Sequence, residues 1–362
     1  MSEQVKREEI RKLVETIYEN SLARSFWRAI GRFFATIFRS RREMPVSFSS
    51  LLTIVISVLF TFLLALILGA QNFFNGEFGA FILLTAGWVW VAIVLSDWQI
   101  QQSIKVIRED VVNLLDLAGD QNIVKSWAEL IGNRRVQFFV ALFWFLMILG
   151  LSVFELPLDF ARPDGWILAL HLALGLLWFV FQLSWFGALI LFYGYYLGRL
   201  PLNLFPDDPS ATPGLLVIHQ DVGQLLFVSA FIAALAIPIG MVVGFLSGMV
   251  LITSAITLWI PLMMFFVATE RSFSVQISYG KNRRLAELQA QISQLENRLD
   301  LPGADMVKAI EGLLALHDRV KRAPDSLVNL GSLINLIGSM AMPLVSALLN
   351  LLSTWQKFFG FP

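Results

Sequence analysis

The sequence predicts an all-α polytopic integral membrane protein, with six transmembrane helices in three hairpins plus interfacial and cytoplasmic helices. Three observations predict it. Of 362 residues, 57% are hydrophobic and 15% charged, whereas a soluble domain holds about 45–50% apolar and about 25% charged residues. Six stretches carry no Asp, Glu, Lys or Arg: 44–76, 78–96, 136–154, 165–198, 222–269 and 326–356. When the first five are threaded as spans, 26 of the 27 Lys and Arg residues fall on one side of the membrane, the side that basic loops select as cytoplasmic.

A helix needs about 20 apolar residues to cross a bilayer core. The first three stretches supply one span each, near 51–71, 78–96 and 136–154. The fourth, 165–198, suits one long tilted span. The fifth, 222–269, would reach about 72 Å as a single helix. It must therefore turn, most simply at Gly244-Phe-Leu-Ser-Gly248, giving spans near 223–243 and 250–269. With the N-terminus inside, the inward segments 1–50, 97–135, 199–222 and the chain after 270 hold 10, 5, 1 and 10 basic residues, and only Arg162 lies outside. Both termini are expected in the cytoplasm of a cell or inner membrane. The first apolar stretch lies behind a charged segment, so Leu51–Gly69 reads as a retained span rather than a signal peptide.

Within the N-terminal segment 1–50, residues 21–42 read as a basic amphipathic helix. At 100° per residue Arg24, Arg28, Arg32 and Arg39 share one face, and Phe26, Trp27, Ile30, Phe33, Phe34, Ile37 and Phe38 take the other. That pattern suits an in-plane helix whose guanidinium groups meet anionic lipid headgroups. The plainer reading is a topology anchor with no further role. Within the membrane domain 51–269, the insert 98–133 reads as one or two amphipathic helices broken at Gly119-Asp120. Pro201, Pro206, Pro209 and Pro213 make 199–222 an irregular loop, in which Asp207-Asp208 reads as a solvated pair.

In 270–325, Leu285, Leu288, Ile292, Leu295 and Leu299 repeat at 3,4,3,4, a short heptad seam. Pro302-Gly303 interrupts it before a second stripe, Met306, Ile310, Leu313, His317 and Val320. The two stripes fit an antiparallel hairpin or a coiled coil between subunits. The last region, 326–362, carries a neutral amphipathic helix. Ser332, Asn335, Ser339, Ser346, Asn350 and Ser353 gather opposite a Leu/Ile face, and Pro343 divides it. It can lie in plane, cross as a seventh span, or associate between subunits with its Ser/Asn stripe lining a polar path.

Chemistry is sparse. The expected spans hold no charged residue, and their only His, His171, reads as a hydrogen-bonded structural group. Gln182 is the costliest of the neutral polar residues there to leave unpaired, so it should face another helix. Gly240, Gly244 and Gly248 form a nominal association motif that the expected turn splits. There is no Cys, and three scattered His make no zinc motif. Walker A, GxGxxG, HExxH and GxSxG spacings do not occur. The sequence therefore predicts no enzyme, cofactor, metal or nucleic-acid partner. It favours an oligomeric channel or pore lined by Asn335, Ser339, Ser346 and Asn350, with the 285–299 seam holding subunits or a hairpin together. The alternative is a membrane scaffold that docks a cytoplasmic protein partner through its cytoplasmic helices.

Overall fold

The computed structural model describes residues 3–70, 74, 77–116, 122–155, 160–242, 260–296 and 304–327. Among them the regular elements are helices, and the only β pairing is a single bridge between Leu115 and Leu202. In chain order we label α1 (Glu3–Glu19), α2 (Leu22–Ile37), α3 (Val46–Ile67), α4 (Glu77–Val106), α5 (Asn122–Gly132), α6 (Arg134–Glu155), α7 (Pro163–Leu191), α8 (Pro213–Val242), α9 (Ile260–Glu296) and α10 (Ala304–Arg322).

Four helical stretches are long and apolar enough to cross a membrane: Val46–Ile67, Phe78–Leu114, Pro163–Arg199 and Pro213–Leu235. A fifth candidate is broken, Ile123–Gly132 and Arg134–Gly150 meeting at 63°. The break has a local cause. Gly132 ends α5, and the Asn133 side chain accepts from the Arg135 amide at 3.0 Å to start α6. Gln137 braces the corner, accepting from the Leu22 amide and donating to Ile131 O, each at 2.6 Å. The expected turn at 244–248 and the first half of the expected span 250–269 lie outside the described residues.

α4 packs against α3, α7 and α8, and α6 against α7. At one end a small cluster of Ala65, Ala70, Phe81, Ile82, Ile167 and Leu168 closes the bundle. The other, charge-rich end is larger. There α1, α2, α5, the end of α7, the start of α8 and the middle of α9 share one core with the spans, holding fully buried Trp27, Trp127, Trp185, Tyr193, Phe192 and Phe273. Burial of each such aromatic contributes about 2–3 kcal/mol, so this end is a packed layer rather than a set of loops.

Two elements there depart from expectation. α1 was not anticipated, because its buried stripe of Ile10, Val14 and Ile17 is diluted by charge. Arg7 ties it to Asn113 O at 2.8 Å, and Arg11 to the Asn113 side chain at 2.7 Å. The 199–222 segment is irregular only in its first half. Pro213 supplies the fixed φ that favours a first helical turn, and α8 runs on through Asp221.

The 37-residue α9 is about 55 Å long and runs unbroken from an apolar first third into charged sequence. α10 folds back along it. The start of α10 follows the end of α9, while Lys281 Nζ donates to Ala323 O and pairs with Asp325, both at 2.8 Å, so the two helices run antiparallel. Arg283 and Arg284 pair with Asp116 and Asp207 at 3.7 and 3.8 Å, fastening the base of this arm to both neighbouring loops.

Candidate functional site

The charge-rich end of the bundle holds a layer of buried polar side chains, contributed mainly by α4, α7, α8 and α9. On α4 the apolar run gives way to Ser96, Gln99 and Ser103, spaced so that they share one helix face, each fully buried. α7 ends in a π-helical turn, Phe192–Tyr196, a widening that often marks functional segments. It carries Tyr193 into the layer. α8 adds Asp221, which is 3% exposed.

Tyr193 Oη donates to Asp221 Oδ2 at 2.6 Å, and Gln99 Nε2 donates to Asp221 Oδ1 at 3.1 Å and to Ser103 Oγ at 3.3 Å. No Lys, Arg or His among the described residues forms an ion pair with Asp221. Removing a carboxylate from water costs several kcal/mol, and neutral donors offset that here, each hydrogen bond to a charged acceptor contributing about 1.5–3 kcal/mol. Gln99 Oε1 and Ser96 Oγ are buried without a protein partner.

Three further contacts complete the layer. Asp97 accepts from Gln101 at 2.7 Å and lies beside Gln182 and Arg24. Burial pushes the nearby Tyr18 phenol above its ordinary range; the charges of Asp97 and Glu19 add to this and Arg24 opposes it. Tyr18 also packs edge-on against Trp185 at 5.5 Å. Between α8 and α9, His219 Nε2 meets Glu270 Oε1 at 2.9 Å, with the His219 ring against Phe273.

α9 crosses the end of α7 at close range. A Cβ on Gly198 would sit 3.1 Å from Ser272 Oγ and 3.2 Å from its Cα and Cβ, and one on Gly194 would touch Ala268. Small residues four apart on both helices permit this approach. Ser272 donates to Gly194 O at 3.0 Å, and Gln276 donates to Leu197 O and Leu200 O at 3.0 and 2.8 Å, satisfying carbonyls left free where the helix ends. Chemically the layer holds helices in register. Among the described residues no group of three His, Cys, Asp or Glu is placed to hold a metal ion.

Of the sequence-predicted residues, Arg24 and Gln182 reach this layer beside Asp97. Asn335, Ser339, Ser346, Asn350 and Leu299 lie outside the described residues. Leu288 and Ile292 are buried, with Leu285 and Leu295 half-buried beside them, along the stretch of α9 that α10 covers. Arg24 and Arg28 pair with Glu19, and Arg28 and Arg32 with Glu43, while Arg39 is exposed. His171 sits between Thr61 and Thr85, at 3.3 and 3.2 Å. Gln182 faces α4 near Asp97, and the small-residue crossing is at Gly194 and Gly198. Sequence reasoning missed Tyr193 and Asp221. The available signal was an acid one residue outside an apolar stretch, preceded by a proline able to start a helix.

Comparison with known proteins adds no relative: no family model, no curated protein and no solved structure matches the chain.

Proposed function

We propose that this is a non-enzymatic, six-span membrane scaffold with both termini in the cytoplasm, whose helical arm docks a cytoplasmic protein partner. The observation that carries the reading is α9: one unbroken helix from the apolar bundle into charged sequence, with α10 folded back on it. Ser272, Gln276, Lys281 and Arg284 fix the base of the arm. Leu288 and Ile292 are buried within the chain. The heptad stripe is thus spent on the hairpin, which weakens its use as a seam between subunits. Further out, Ile310, Leu313 and Leu316 stay half-exposed, and Val307 and Leu314 are exposed. The insert 98–133 is a poorer docking surface, because Ile104, Ile107, Val111, Trp127 and Ile131 face the core.

The oligomeric pore is the competing reading, and it rests on Asn335, Ser339, Ser346 and Asn350. One experiment separates the two. The purified chain is sized for subunit stoichiometry and reconstituted for ion and dye flux, with Asn335→Leu and Ser339→Leu alongside. In parallel, a photo-crosslinker at Leu314 is activated in native membranes. The scaffold reading predicts no flux above empty liposomes and a discrete adduct at 314. A closed ring whose flux disappears in both variants would overturn it.

A further inference from the structure

We propose that the end of α2 and the bend after it, Phe33 to Arg42, form a docking site for the phosphate headgroup of an anionic phospholipid. The inference rests on the membrane location of the chain and not on the scaffold reading. Four observations carry it.

The first is charge. The guanidinium groups expected to meet lipid are already taken: Glu19 holds Arg24 and Arg28, and Glu43 holds Arg28 and Arg32, the last at 2.6 Å. Arg39, Arg41 and Arg42 are exposed and form no ion pair with a described residue, which puts three exposed positive charges within four positions.

The second is backbone conformation. α2 closes with Phe38 N on Phe34 O, Arg39 N on Thr36 O and Ser40 N on Ala35 O, at 2.9, 3.2 and 2.8 Å. That closure places Arg39 at φ 52°, a left-handed position that favours glycine. A strained position held by a long cation is where a functional constraint is sought.

The third is the apolar patch beside these charges. Phe33, Ile37 and Phe38 are 60, 56 and 56% exposed, and α3, a candidate span, begins at Val46 with Phe48 also exposed. Aromatic side chains at the foot of a span with cations beside them match the boundary between acyl chains and headgroups. The patch is what favours a lipid over free phosphate.

The fourth is rigidity. Gly31 lets the chain return against α2: a Cβ there would lie 2.8 Å from Met44 O. The chain leaving the bend is thereby held on the helix at Met44, two residues after Arg42.

The chain has no Cys, so a single Ser40→Cys label reports the patch. The full-length labelled protein is placed in phosphatidylcholine nanodiscs, and dibrominated phosphatidylglycerol or phosphatidylcholine is titrated as quencher. About 5-fold preference per basic residue gives roughly 100-fold for phosphatidylglycerol over phosphatidylcholine. Arg39→Gln/Arg41→Gln/Arg42→Gln should bring that near unity, and Arg24→Gln/Arg28→Gln should leave it unchanged. Arg39→Gly keeps the bend and relieves its backbone, so it should lose about 5-fold in preference while melting no lower than the parent. Equal quenching by both lipids in the parent, an unchanged preference in the triple variant or in Arg39→Gly, or loss of preference on adding millimolar inorganic phosphate would each overturn the proposal.

Discussion

Replacing Asp221 by asparagine and by leucine distinguishes a hydrogen-bonded hub from a group that owes its place to charge. Asp221 accepts from Tyr193 and Gln99, and no cation among the described residues pairs with it. Asparagine keeps one acceptor for Tyr193, and its new amide then faces Gln99. Gln99 carries an unpartnered Oε1, and rotating its amide by 180° presents that oxygen to the new donor. Asp221→Asn should therefore lie within about 1 kcal/mol of the parent. Leucine leaves the Tyr193 hydroxyl buried and unpaired, at a cost of about 1–3 kcal/mol, and removes one of two acceptors from Gln99, adding about 1 kcal/mol. Tyr193→Phe strips the carboxylate of its shorter hydrogen bond. Bonds between membrane helices average only about 0.6 kcal/mol, with a maximum near 1.7. A charge-assisted bond shielded by protein belongs at the top of that range, so about 1.5–2 kcal/mol is expected. The assay is reversible unfolding in mixed detergent micelles, with the double variant Tyr193→Phe/Asp221→Leu closing the cycle. A loss for Asp221→Asn equal to that for Asp221→Leu would refute the reasoning, as would zero coupling between 193 and 221.

Three shorter predictions follow from the same end of the molecule. Gly198→Ala forces α9 away from α7 or strains Ser272, and should lower stability by about 1–3 kcal/mol in the same assay. Adding Ser272→Ala, which removes the Oγ nearest the new methyl, should recover part of the loss. Lys281→Met releases the ties to Ala323 and Asp325; amide exchange across Ala304–Arg322 should quicken while α7 and α8 keep their protection. Tyr18, raised by burial, binds its proton more tightly folded than unfolded. Its contribution is therefore complete below the ordinary tyrosine value of about 10 and is lost as pH climbs beyond it. Tyr18→Phe should show a smaller drop in unfolding midpoint between pH 9 and 11 than the parent, and an identical drop would contradict the assignment.

The parts of the fold legible in the sequence are those that a strong local pattern specifies. α3 falls in a charge-free stretch, and α7 carries only Asp164, in its first turn, because lipid-facing side chains leave no room for ions. α2 shows its Arg and aromatic faces at helical spacing, and Ser21 caps it by accepting from the Arg24 amide at 3.2 Å. What stayed hidden depends on partners distant in sequence. The last charge-free stretch of the membrane domain begins only after Asp221, so that acid reads as a loop residue; yet α8 runs straight through it. Asp221 is tolerated inside because Gln99 and Tyr193, 122 and 28 residues away, supply its donors. Likewise the arginine face of α2 looked free for lipid because nothing local reveals that Glu19 and Glu43 fold onto it. α1 escaped because Ile10, Val14 and Ile17 are too few among charges to announce a buried face. They are buried because α1 packs on α5 and the turn after α4.

The central claim is that one membrane face carries a single packed layer built from α1, α2, α5, the start of α8, and α9 with its α10 arm. The chain lacks Cys, so Val5→Cys, Arg162→Cys and Leu314→Cys can each be introduced alone and labelled with a membrane-impermeant maleimide in sealed vesicles of known orientation. Labelling of 5 and 314 from the cytoplasmic side and of 162 only from the opposite side is the predicted result. Labelling of 162 from the same side as 314 would contradict it.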